Sequence, residues 1–134
     1  MRDMEWVLKW FKRAQDDYAV ARHLFHDFHP KPLEIICYQC HQAVEKALKA
    51  YLIYQEYEFP LIHDLRKLCV LCAEFDIQFN DYSDDCADLT PYATKARYPD
   101  DKEVLEPETE SALRKTARAI DLIAGLIFPA EDAQ

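Results

Sequence analysis

The sequence predicts an all-α domain: an up-and-down bundle of four long or medium helices plus a short fifth. Three observations carry this. The 134 residues contain a single glycine, Gly125, whereas tight β-hairpins and sandwiches need glycine wherever φ must be positive. Apolar residues recur at alternating spacings of three and four over long stretches, which is the seam of an amphipathic helix. The breaks between these stretches are short and marked by proline, so consecutive helices lie antiparallel.

The first helix carries Met4, Val7, Phe11, Ala14, Tyr18, Ala21 and Phe25 on its seam, with Lys12, Arg13, Asp16 and Asp17 facing outward. Pro30 and Pro32 end it, because proline cannot donate to the helix and restricts the residue before it. A second helix runs from about Leu33 to Tyr54 on Cys37, Cys40, Val44, Ala47, Tyr51 and Tyr54, widened by Ile36, Ala43 and Ala50. After a turn at Pro60 the third helix faces Leu65, Leu68, Cys69, Cys72 and Phe75 inward. A short helix follows around Tyr82 to Leu89, and Thr90 to Pro107 reads as an ordered loop. The last helix starts at Pro107, where a first turn tolerates proline, with Glu108 and Glu110 complementing the helix dipole. It buries Leu113, Ala117, Ile120, Ala124 and Ile127 and stops near Gly125 to Pro129.

The length predicts one domain over residues 1–134. Sixteen Lys and Arg against 25 Asp and Glu leave a net charge of −9, which excludes a surface that is a nucleic-acid platform throughout. No apolar run is long enough to span a bilayer. The charged amino terminus is not a signal peptide, and five cysteines, an odd number, read as reduced thiols in the cytoplasm.

Three segments, in order, resemble the HEPN family, the nucleotide-binding domain shared by higher eukaryotes and prokaryotes. They are HQAVEKALKAYL at His41 to Leu52, HDL at His63 to Leu65, and ARYP at Ala96 to Pro99. Ala14, Asp17 and Ala21 on the first helix fit the same pattern. The resemblance implies a bundle of four or five helices that dimerises, often beside a minimal nucleotidyltransferase, with ribonucleases and toxins among its members. The ribonuclease branch carries Arg, four to six residues, then His in its last third. Here no histidine follows His63, and the Arg22–His29 match lies at the end of the first helix. That departure favours a non-catalytic nucleotide or RNA binding module, paired with a nucleotidyltransferase or set in a toxin–antitoxin pair. The alternatives are a metal-independent ribonuclease and a helical adaptor.

The residues offer three candidate constellations. Gln42, Glu45, Lys46 and Lys49 share one face of the second helix. They form either a solvated face with a Glu45–Lys49 pair or one wall of a polar cleft. His63 and Asp64 open the third helix, Asp64 as a cap and His63 turned toward that cleft. Arg97 and Tyr98 offer a planar fork for phosphate and a ring for a base, or else tie the loop to the bundle. The cleft reading predicts that Lys49→Ala weakens nucleotide binding with little loss of stability. Cys37-x2-Cys40 and Cys69-x2-Cys72 fall on apolar stripes and read as buried thiols; four converging thiols would be the zinc alternative. No metal or cofactor is expected. Trp6, Leu8 and Trp10 extend beyond the core seam and predict a partner surface or a homodimer.

Overall fold

The computed structural model describes residues 2–58, 61–95 and 102–129. Among them the secondary structure is helical throughout, without a strand. The elements are α1 (Met4–Asp27), α2 (Leu33–Tyr54), α3 (Leu65–Ala73), a 3-10 helix (Ile77–Tyr82), α4 (Ser83–Leu89), α5 (Tyr92–Lys95) and α6 (Glu106–Ile127).

Helix α2 is the axis of the bundle. A helix that is apolar on one side lies at a surface, whereas one that is apolar or small nearly all round is enclosed. From Ile36 to Leu52, α2 buries Ile36, Cys37, Cys40, Ala43, Val44, Ala47, Leu48, Ala50, Tyr51 and Leu52. It packs against α1, α3, α4, α5 and α6. The small side chains at Ala43, Ala47 and Ala50 let its neighbours approach. On α6, Thr109 and Thr116 are buried and return their hydroxyls to Leu105 and Ala112 carbonyls at 3.0 and 2.8 Å. These polar side chains are thus satisfied within their own helix.

The helix ends follow their sequence signals. Asp3 accepts from the Trp6 amide at 3.1 Å to start α1. Asp64 accepts from the Arg66 and Lys67 amides at 3.0 and 3.3 Å to start α3, the N-cap role expected of it. Glu108 accepts from the Leu105 amide at 2.9 Å, with Pro107 in the first turn of α6. The C-terminal end of α2 closes with Tyr57 donating to the Leu52 carbonyl, and Glu56 adopts positive φ there, a position usually filled by glycine.

Three expectations are corrected. Phe75 is 41 % exposed rather than inward, because α3 ends at Ala73 and the chain leaves the seam. Within the expected loop, Tyr92–Lys95 forms a short helix whose Tyr92 hydroxyl donates to Glu108 at 2.5 Å. On α6, Ala117 and Ala124 are only half-buried. The deeper seam is Ala112, Thr116, Ala119 and Ile123, one position round the helix.

All five cysteines are free and buried. Burial pushes the Cys40 thiol up to about 12, so its nucleophilic thiolate is scarce at neutral pH. We therefore expect the native protein to resist a thiol-reactive dye that labels all five positions after denaturation. Fast labelling of even one native thiol would contradict the buried placement.

Candidate functional site

Helix α2 does present Glu45 and Lys49 toward the start of α3, but the pair is enclosed. Glu45 is 7 % and Lys49 4 % exposed, so this is not a solvated face. One turn apart, their side chains meet on one face, and the Lys49 ammonium donates to Glu45 Oε2 at 2.8 Å. His63, just before α3, donates from Nδ1 to the same oxygen at 2.9 Å. Its ring stands mostly in solvent, with the side chain 74 % exposed. The other carboxylate oxygen, Oε1, is buried and has no hydrogen-bond donor; His41 Nδ1 lies 3.8 Å from it.

His41 stands in the sequence only as the first residue of the HQAVEKALKAYL segment, with no role of its own. It is fully buried and joins the two halves of the site. Its Nε2 faces the His63 carbonyl at 3.2 Å and its Nδ1 faces the Gln42 amide group at 3.2 Å. Gln42 therefore enters through His41 rather than directly. The signal was available: His41 sits one residue beyond Cys40, beside the apolar stripe and not opposite it.

Electrostatics follow from burial. Burial alone would raise the Glu45 carboxyl, but the hydrogen bonds from Lys49 and His63 outweigh it and hold the group below its usual range. Burial lowers the pKa of the His41 imidazole and keeps it neutral, against the opposing pull of Glu45. A buried carboxylate thus fixes His63 as the Nδ1–H tautomer and leaves Nε2, on an exposed ring, as a hydrogen-bond acceptor.

Lys46 does not join this cluster. It points along the other flank of α2, where its ammonium donates to Asp17 of α1 at 2.6 Å. There it lines a groove of about 600 Å³ with Trp6, Lys9, Trp10, Lys12, Arg13 and Asp16. Lys49 lies between the two features, its ammonium 5.8 Å from the centre of the Trp10 ring. Arg97 and Tyr98 lie outside the described residues. Among the described residues no group of three or more histidine, cysteine or acidic side chains could hold a metal ion.

The chain is thus an all-helical bundle on a central α2 that carries a buried Glu-x3-Lys pair beneath a histidine just before α3. The HEPN domain family matches residues 7–126, and the chain belongs to that family. Among solved structures it is similar to the crystal structure of an archaeal HEPN homologue, at 23 % identity and a TM-score of 0.69, covering 95 % of this chain and 98 % of that one. That likeness is one of fold. No curated protein matches. No helix among the described residues is long and apolar enough to cross a membrane.

Proposed function

We propose that this HEPN chain is a cytoplasmic, nucleotide-associated binding and partner module, acting with a minimal nucleotidyltransferase or within a toxin–antitoxin pair. The observation that carries it is the exposed imidazole of His63, fixed through Nδ1 on a buried carboxylate with Nε2 turned to solvent. A hydrogen-bonding group held this rigidly loses little entropy on binding. Gln42, Glu45 and Lys49 support it from beneath, and Arg97 and Tyr98 complete the proposed site with a guanidinium for phosphate and a ring for a base. Lys46, on the other flank, serves the groove instead.

Calorimetric titration with nucleoside mono- and triphosphates tests this reading. Wild-type protein should bind at least one saturably, and His63→Ala should weaken binding up to about tenfold, the worth of one hydrogen bond. The melting temperature should fall only slightly, because Lys49 still donates to the Glu45 oxygen that His63 leaves. Absence of binding for every nucleotide would refute the module and leave the adaptor reading.

One observation favours a second reading, the metal-independent ribonuclease. A carboxylate-oriented imidazole with a free Nε2 is the arrangement of a general base. Cleavage of a labelled RNA in the presence of a chelator, abolished in His63→Ala, would establish it; intact RNA would dismiss it. A homodimer belongs to the main proposal, through the face of α1 that carries the 48 % exposed Leu8. Light scattering across protein concentrations measures it.

A further inference from the structure

The groove beside α1 is a separate feature from the His63 cluster. Trp6 and Trp10, one turn apart on α1, line it with Lys9, Lys12, Arg13, Asp16 and Lys46. Trp6 is 48 % exposed, although a large apolar ring gains by leaving water. Tryptophan and arginine together are the residue types that dominate binding energy at protein interfaces.

The charges decide what the groove can take. It is lined by four cations and one anion, which at first suggests a polyanion. Most of the positive charge is already used, however. Lys12 pairs with Asp16 at 2.9 Å, Lys46 with Asp17 at 2.6 Å, and Lys9 approaches Glu5 at 3.8 Å. The Arg13 guanidinium makes no ion pair among the described residues, and the whole chain carries −9. Such a surface does not supply the several phosphate contacts from which nucleic-acid affinity is built. It fits an apolar side chain against the two indoles and a single carboxylate against Arg13.

A second copy fits poorly. An isologous contact would set each copy's groove against the same groove of the other, bringing the two Arg13 guanidiniums together with no carboxylate between them. Leu8, two residues beyond Trp6, points to the other side of α1, so a dimer through that face leaves the groove open.

We propose that this groove docks a segment of a partner protein that presents an apolar anchor flanked by a carboxylate. The partner's carboxylate forms a bidentate pair with Arg13, and its anchor packs between Trp6 and Trp10. The site stands whether or not the His63 cluster binds a nucleotide.

The chain has two tryptophans and both line the groove, so tryptophan emission reports on a ligand seated there. Because Lys49 of the His63 cluster lies beside Trp10, the titrations are repeated with Arg13→Glu to assign the response to the groove. The full chain is titrated with a helical peptide bearing leucines at i, i+3, i+4 and i+7 flanked by glutamates, and with the same peptide carrying lysines in their place. Decauridylate and dilution of the protein alone complete the set. The expected result is a saturable blue shift with the acidic peptide and none with the lysine peptide. Arg13→Glu, at an exposed position, should weaken the acidic peptide about tenfold and leave the circular dichroism unchanged. The proposal is overturned by no response, by equal responses to both peptides, or by Arg13→Glu binding like wild type. A response to decauridylate alone would make the groove a nucleic-acid surface, and a shift on dilution alone would make it a self-association seam; either overturns it too.

Discussion

Lys49→Ala should destabilise the domain by about 3–5 kcal/mol, the cost of removing one partner from a buried ion pair. That is a large share of the roughly 5–15 kcal/mol that holds a domain folded. Spacing alone makes Glu45 and Lys49 an i,i+4 surface pair worth a few tenths of a kcal/mol. Burial changes the sign of the reasoning: at 7 % and 4 % exposure, neither charge has water to fall back on. Without Lys49, the Glu45 carboxylate keeps one donor, His63, and its Oε1 still has none. The variant would also withdraw an aliphatic stem and an ammonium from beside Trp10. The double variant Glu45→Leu/Lys49→Met, which removes both charges and keeps the volume, should recover most of the loss, because an apolar pair has no desolvation penalty to offset. Urea unfolding of Lys49→Ala and of the double variant measures this. A cost for Lys49→Ala under about 1 kcal/mol, the value for an exposed pair, would show that the site is wet. The expectation that Lys49→Ala leaves stability intact is thereby withdrawn, and His63→Ala becomes the cleaner probe of binding.

How much of this was legible in the sequence depended on periodicity. The bounds of α2, Leu33–Tyr54, were readable because apolar residues fill so much of that stretch between two proline-marked breaks. The cap at Asp64 was readable because short acidic side chains accept from the first amides of a helix. What periodicity could not give was depth. Glu45 and Lys49 look like a surface pair in any helical projection, and their enclosure depends on where the chain before α3 crosses α2. His41 was missed for the same reason, since a histidine one position off a cysteine stripe is buried only if a neighbour's backbone supplies an acceptor, here the His63 carbonyl. The division of the polar stripe was likewise hidden: Lys46 turns to Asp17 while Lys49 turns to Glu45. Both are α2 lysines three residues apart, and only the position of α1 separates them.

Acid should lower the stability of the domain over two successive pH ranges, and His41 sets the first. In the folded chain its imidazole is buried and its pKa lies below 6.5, so the unfolded chain takes up a proton there that the folded chain refuses. Stability from this group is complete above pH 6.5 and falls as pH drops below it, with a slope of at most about 1.4 kcal/mol per pH unit. The loss ends once the pH reaches the lowered folded pKa. Glu45 adds the second step. Its folded pKa lies below 4.5, so its contribution is present above pH 4.5 and disappears as pH falls further, when the carboxyl protonates and Lys49 loses its partner. Burial, and less so the His63 imidazole, lower the His41 pKa, while Glu45, Gln42 and the His63 carbonyl face His41 and all oppose the shift, Glu45 most. Urea midpoints between pH 7.5 and 5.0 should therefore fall for wild type. His41→Gln should start lower at pH 7.5, having lost a well-packed ring, yet change less across the same range because nothing at position 41 titrates. The two curves should converge toward pH 5. Curves that stay parallel over that interval would mean that His41 is not the group being protonated, and that the buried, neutral imidazole joining α2 to the start of α3 does not govern the acid limit of the fold.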